Sequence, residues 1–199
     1  ISKYKNEQLV RKVQLNSAYG AIGNEYCRYY DVDLAEAVTI SGQLSIRWIE
    51  KELNSFMNKI VGTENEDYVV AIDTDSVYIS VEKLVDKIAK DKDKKEIVEI
   101  LDESARKAFL PFIEAKYQEM AEKVNAFQQK MKMGREVIAD KGIWTAKKRY
   151  ILNVLDNEGV RYEKPEIKVI GIETTRSSTP AVVRKQLTGM IGLILNADE

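Results

Sequence analysis

Two carboxylates one residue apart, Asp73 and Asp75, stand inside Tyr68-Val69-Val70-Ala71-Ile72-Asp73-Thr74-Asp75-Ser76-Val77-Tyr78-Ile79-Ser80. Apolar, β-branched runs flank them, which is the pattern of a β-hairpin with an acidic tip. On strand spacing, side chains at i and i+2 point the same way. Two negative charges on one face repel unless a cation lies beside them. Magnesium suits such a pair, because it prefers hard oxygen ligands and takes one or two protein carboxylates plus phosphate oxygens. The chemistry that follows is phosphoryl or nucleotidyl transfer. An ordinary polar turn is the commoner use of the same residues, since Asp, Thr and Ser favour turns.

The composition narrows the choices. The chain has 199 residues, of which 44% are hydrophobic and 32% charged, with a formal net charge of −1. It holds enough apolar material for a core, and its near-balanced charge makes any basic surface local. There is no His, which removes Ser-His-Asp triads, His general bases and most zinc sites. Cys27 is the single cysteine, so no internal disulfide forms. No apolar run reaches membrane-spanning length. The first residues, Ile1-Ser2-Lys3-Tyr4, lack an initiating Met and suggest an excised piece of a longer protein.

Several elements must position the acidic tip. Residues 3–19 read as a helix with Leu9, Val13 and Ser17 on one face. Lys5, Gln8, Lys12, Asn16 and Tyr19 form another stripe, one that suits either solvent or a phosphate and a base. Gly20 and Gly23 are expected to end this helix, and residues 26–33 to form an extended connection. Asp33, with Glu36 three residues on, is the expected N-cap of a long helix over 34–60. Its buried face comprises Val38, Ser45, Ile46, Ile49, Leu53, Phe56, Met57 and Ile60, with Gly42 marking a close packing contact and Gly62 the end.

After the hairpin come a short helix over 82–90, an exposed charged loop over 91–95, and a helical stretch over 96–133. Val124 and Phe127 fall on the apolar stripe of that stretch, and Pro111 marks a boundary or kink. Strands are expected at 136–139, 142–146, 149–155, 160–162 and 168–172. Ser177-Ser178-Thr179-Pro180 reads as a helix start with Pro in the first helical position, leading into a last helix through about Leu195. Helices and antiparallel hairpins without βαβ alternation indicate an α+β fold.

Three stretches line up in order. Lys12-Val13-Gln14-Leu15-Asn16-Ser17-Ala18-Tyr19-Gly20 fits K-x-x-x-N-S-x-Y-G, Asp73-Thr74-Asp75-Ser76 follows, and Lys147-Lys148-Arg149-Tyr150 fits K-K-x-Y. This order resembles the C-terminal part of family B DNA polymerases. Arg28-Tyr29-Tyr30-Asp31 and Ser177-Ser178-Thr179-Pro180 look most like the replicative members from T-even-type bacteriophages. The resemblance covers nearly the whole chain. It implies a polymerase palm with an antiparallel sheet and packed long helices: residues 1–23 as the C-terminal helix of the fingers, 24–180 as palm and 181–199 as the start of the thumb.

The resemblance also implies roles. Lys12, Asn16, Tyr19 and Gly20 would bind the incoming dNTP: a compact charge, a neutral donor, a ring for the base pair, and a glycine admitting close approach. Asp75 and Asp73 would be the catalytic, magnesium-binding palm carboxylates, with Glu136 a further acidic residue near the metal. Lys147, Lys148, Arg149 and Tyr150 would meet primer-template DNA, together with Arg176. In extended chain, Lys148 and Tyr150 would point one way and Lys147 and Arg149 the other, one pair to the minor groove and one to phosphates.

The reaction implied is attack of the primer 3′-hydroxyl on the α-phosphate with two magnesium ions. The implied partners are primer-template DNA, dNTP, the N-terminal remainder of the polymerase and a sliding clamp engaged through a C-terminus outside this chain, all in the cytoplasm of the infected bacterial host. The sequence departs from the family at Ile72, where Gly is usual, and it lacks the earlier palm motif D-x-x-S-L-Y-P. The chain alone is therefore expected to be inactive. A non-catalytic DNA-binding or scaffolding piece that keeps the polymerase fold is the alternative.

Overall fold

The computed structural model describes residues 2–197, and the chain divides into two compact units, Ile1–Arg47 and Trp48–Glu199. In the first unit, α1 (Ser2–Ile22) runs through Gly20 and stops before Gly23. One interior glycine costs only about 1 kcal/mol, and here its neighbourhood is open. Leu9 and Val13, on one expected face, are exposed. The next segment is not extended. It is a run of tight turns, closed by Cys27 N to Asn24 O at 2.9 Å, Tyr30 N to Cys27 O at 3.0 Å and Asp31 N to Ile22 O at 2.9 Å.

The long helix α2 (Val32–Val61) starts earlier than its sequence suggested. Asp31, not Asp33, is the N-cap: its Oδ1 accepts from Leu34 N at 2.9 Å. Asp33 lies in the first turn, where its charge still favours the helix dipole. Gly42 makes no close packing contact and Val38 is exposed, so the apolar face begins later than expected.

In the second unit the rest of α2 does the packing. Ile49, Leu53 and Met57 are buried, and Gly62 (φ +82°) ends the helix in the left-handed conformation glycine tolerates. The loop that follows is held by two asparagines of α2. Asn58 Oδ1 accepts from Thr63 Oγ1 and Glu66 N, while Asn54 Oδ1 accepts from Tyr68 N and Val69 N. These bonds set the angle at which the chain enters β1 (Val69–Asp73), which pairs antiparallel with β2 (Ser76–Ile79).

Three helices follow: α3 (Glu82–Ile88), α4 (Lys94–Ser104) and α5 (Leu110–Lys123). Asp93 caps α4 through Glu96 N at 2.8 Å, so the charged loop is also a helix start. Of the boundary or kink expected at Pro111, the structure has a boundary: a π-turn over Ala105–Phe109, with Leu110 N donating to Ala105 O, precedes α5, whose start holds the proline. The helical stretch ends at Lys123, short of Met133. Val124 and Phe127, expected on its stripe, are exposed. Ile49 and Leu53 of α2, Val69 of β1, and Ile113, Tyr117 and Met120 of α5 form one core. Each such side chain contributes on the order of 1.5–3 kcal/mol relative to exposure.

The remaining strands form one antiparallel sheet in the order β3-β4-β5: β3 (Val137–Ala146), β4 (Arg149–Asn157) and β5 (Val160–Ile170). The two short strands expected on either side of residue 140 are one bulged strand. The two expected beyond residue 160 are likewise one, running through Pro165 on a sheet edge where a missing N–H is tolerated. Central β4 is buried on both faces. Tyr150, Leu152 and Val154 face one cluster, and Ile151 packs with Ile191 and Leu195 of α6 (Ala181–Asn196). Pro180 is the N-cap of α6, not its first helical residue, and no side chain caps the helix. Mixed helices and antiparallel sheets agree with the α+β expectation.

Candidate functional site

The acidic tip follows from alternation along two strands. Ile72 pairs with Val77, and both turn toward the α2–α5 core. The isoleucine at the departure from the family pattern is thus core packing. Asp73 pairs with Ser76 and Ala71 with Tyr78, which puts Asp73 and Tyr78 on the opposite face. Strand spacing does not extend to Asp75. β1 ends at Asp73, and Asp75 N donates back to Asp73 O at 2.6 Å around Thr74, whose φ is +56°. That is a three-residue γ-turn with positive φ at a β-branched residue, a strained conformation.

Ser76 Oγ also donates to Asp73 O, and Thr74 Oγ1 donates to Asp73 Oδ1 at 3.1 Å. The Asp75 carboxylate is exposed and makes no hydrogen bond or ion pair among the described residues. Strain, an anchored carboxylate and a free one therefore coincide at one turn.

A second turn faces this tip. Lys147 and Lys148 join β3 to β4, so they are a loop and not extended chain. Lys148 adopts φ +61°, and its Nζ lies 3.6 Å from Asp73 Oδ1. Gly171 (φ +68°) makes room for that turn. A Cβ there would run into the Lys148 carbonyl oxygen. Arg149 lies 3.7 Å from Glu173, and Arg176 lies 4.0 Å from the same carboxylate.

Tyr150 is not an open contact surface. It is buried, Tyr78 Oη donates to its hydroxyl at 2.7 Å, and Trp144 stacks 6.3 Å away. Burial, then the Tyr78 hydrogen bond, then the charges of Tyr78, Asp73 and Glu136 push the Tyr150 phenol well above its ordinary value.

Glu136 is exposed immediately before β3, and a charge lattice beneath holds its backbone. Arg135 donates to Asp156 and Asp102, and also to the Glu136 carbonyl at 3.1 Å. Arg161 donates to Asp156 at 2.6 Å and to Asp102 at 3.3 Å. Asp156 is fully buried and takes a third bond from Gly159 N at 3.0 Å. The Arg135 hydrogen bond, with Arg106 and Arg161 nearby, holds the Asp102 carboxyl below its ordinary range.

Asp73, Tyr150, Lys148 and Glu136 thus belong to one electrostatic neighbourhood. Asp73, Asp75 and Glu136 do not close into a metal cage: among the described residues no three Asp, Glu or Cys side chains gather as a metal site. Lys12, Asn16, Tyr19 and Gly20 all lie on exposed α1, in the first compact unit.

Sequence reasoning missed Tyr78, Gly171 and the Arg135–Asp156 pair. Tyr78 carried a legible signal, since it alternates with Val77 and shares a face with Asp73. Gly171 and the charge lattice depend on pairings between distant segments, for which no local pattern exists.

The model of DNA polymerase family B matches residues 2–107. The chain is 45% identical to a DNA-directed DNA polymerase of Escherichia phage RB69 and 42% identical to one of Enterobacteria phage T4. Each alignment covers 96% of this chain and 22% of the relative. The chain thus spans about a fifth of the length of these relatives.

Proposed function

The chain belongs to DNA polymerase family B, and we propose that it carries the fingers helix and palm of a phage replicative polymerase that adds dNTPs to a primer 3′-hydroxyl on a DNA template. In this reading residues 1–23 close the fingers, 24–180 are palm and 181–199 begin the thumb. The observation that carries the reading is the acidic tip set against a basic turn: Asp73 anchored, Asp75 unengaged, and Lys148 3.6 Å from Asp73.

The donor set fits magnesium, which takes few protein carboxylates and completes its shell with phosphate oxygens and water. Asp75 and Asp73 would hold it, with Glu136 nearby. When bound, magnesium supplies Lewis-acid stabilisation of negative charge on phosphate oxygens. The chain's own residues do the rest. Lys12 and Asn16 grip the triphosphate of the incoming nucleotide, while Tyr19 and Gly20 meet its base pair. Lys147, Lys148, Arg149 and Arg176 hold the primer-template backbone. Tyr150, kept protonated, presents a neutral phenol beside the carboxylates, so no third anion forms there. The 3′-hydroxyl is the nucleophile, and a chain without His needs no side-chain nucleophile. The remaining partners are the N-terminal remainder of the polymerase, a sliding clamp and the cytoplasm of the infected host as setting.

The test is to put this chain in place of the matching segment of the phage RB69 relative and measure primer extension, with and without Asp75→Ala. Loss of a metal-holding carboxylate removes several kcal/mol of charge stabilisation, so extension falls by about a thousandfold or more. Primer-template affinity stays the same. If extension survives Asp75→Ala, the catalytic assignment fails and a DNA-binding piece that keeps the fold is the better description.

A further inference from the structure

The two-stranded hairpin has one face on the helices. On the other, Tyr78 is the residue that enters the core cluster of the three-stranded sheet. Its hydroxyl donates to Tyr150 at 2.7 Å. Its ring meets Trp144 at 5.6 Å and 66° and Tyr150 at 5.3 Å and 58°, edge-on and tilted arrangements that aromatic pairs favour. Both anchors flank the basic turn: Trp144 precedes Lys147 on β3, and Tyr150 follows Lys148 on β4 and pairs with Trp144. On the hairpin side, Tyr78 shares a face with Asp73.

We propose that Tyr78 is a positioning residue. Through Tyr150 and Trp144 it fixes the separation between the acidic tip at 73–75 and the basic turn at 147–148, so that the two act on one phosphate-bearing ligand as a unit. The alternative hold between these segments, the Lys148–Asp73 pair, has an exposed lysine and is wide at 3.6 Å, a contact that water screens and a ligand replaces. A tip held by that pair alone would swing free whenever Lys148 turned to a phosphate. The tyrosine bond joins half-buried Tyr78 to buried Tyr150 and is made by neither of the ligand-facing charges, so it survives that exchange. This role rests on the polymerase reading for its purpose, but its geometry is testable without any activity.

The measurement is amide hydrogen exchange at Asp75, Ser76 and Val77 in the 199-residue chain, for Tyr78→Phe, Lys148→Ala and the double variant. Tyr78→Phe keeps the ring and removes only the hydroxyl. Losing one net hydrogen bond should speed tip exchange roughly fivefold, while the amides of Leu53 and Ile113 in the helical core keep their wild-type rates. With the tyrosine bond gone, Lys148→Ala should matter more than it does in the wild-type chain, so the two effects are non-additive. Tyr150→Phe removes the same bond from the other side and should reproduce the Tyr78→Phe tip exchange. Unchanged tip exchange in both tyrosine variants, or equal acceleration throughout the chain, would overturn the proposal and leave Tyr78 as packing alone. In the phage RB69 relative carrying this chain, Tyr78→Phe should lower kcat about fivefold and leave the nucleotide KM unchanged. If the unsubstituted chimera does not extend primers, the polymerase reading fails while the exchange result still decides the role of Tyr78.

Discussion

The helix that carries Lys12, Asn16 and Tyr19 and the hairpin that carries Asp73 and Asp75 are built on opposite plans. Residues 3–20 of α1 are exposed all round, and its proposed nucleotide-binding stripe is organised by helical spacing alone. The hairpin tip is organised from behind, by Ile72 and Val77 in a helical core, Tyr78 on an aromatic cluster and a strained turn at Thr74. Gripping a flexible triphosphate tolerates a locally encoded element. Holding charge against a reacting phosphate needs groups fixed to a fraction of an ångström by their surroundings. The contrast makes a concrete claim: substitutions behind the hairpin and sheet should cost stability, while those on α1 should not.

The largest stability effect should come from Arg135→Met. It leaves fully buried Asp156 with Arg161 and one backbone donor, and removing one partner of a buried pair costs about 3–5 kcal/mol. Denaturant melts check the value, and a loss under about 1 kcal/mol would mean that the lattice does not hold up the sheet. Asp102 of this lattice and, apart from it, Glu119 of α5 set an acid limb. Asp102, and Glu119 lowered from 4.5 to about 2 mainly by hydrogen bonds from Lys116 and Lys123, bind protons less readily folded than unfolded. Their contribution is present above the unfolded values of 3.8 and 4.5 and is lost as pH falls toward the folded ones. A melt series from pH 5 to about 2 should therefore slope downward, less steeply in Asp102→Asn.

Gly171→Ala comes next. Its positive φ and the Lys148 carbonyl in the path of a Cβ should together cost about 2–3 kcal/mol and displace the basic turn. Weakened primer-template binding should accompany the lower melting temperature. Stability lost with DNA affinity intact would separate the turn from DNA contact.

How much of this was legible in the sequence depended on distance along the chain. The hairpin, the long α2 and the α+β class rest on periodicities of two and 3.6, which local side chains write directly. Asp31 taking the cap from Asp33 was a contest between neighbours two residues apart, decided by the turns that precede it. The fused strands β3 and β5 looked broken because Asp140, Lys141 and Pro165 interrupt the apolar pattern, but bulges and an edge position absorb them. The proposed site residues on α1 and at Asp73 and Asp75 stand out as motifs. Burial of Tyr150 and the roles of Tyr78 and Gly171 arise only when segments some 20 to 70 residues apart meet.

The smallest stability effects should come from Lys12→Ala and Asn16→Ala, both exposed, each within about 0.5 kcal/mol of wild type. In the complete enzyme each should still weaken incoming-nucleotide binding by about tenfold, one charge-assisted or neutral hydrogen bond's worth. Stability loss from either would show that α1 is structurally engaged and would dissolve the contrast.

The claim beneath all of this is that the anchored hairpin is one part of a divided catalytic site. Primer extension in magnesium, by the purified 199-residue chain alone and by the same chain mixed with the N-terminal remainder of the phage RB69 relative, tests it directly. The account predicts no extension by the chain alone, because the second palm carboxylate that the resemblance assigns to D-x-x-S-L-Y-P is not in this sequence, and extension once the remainder supplies it. Robust extension by the chain alone would contradict it.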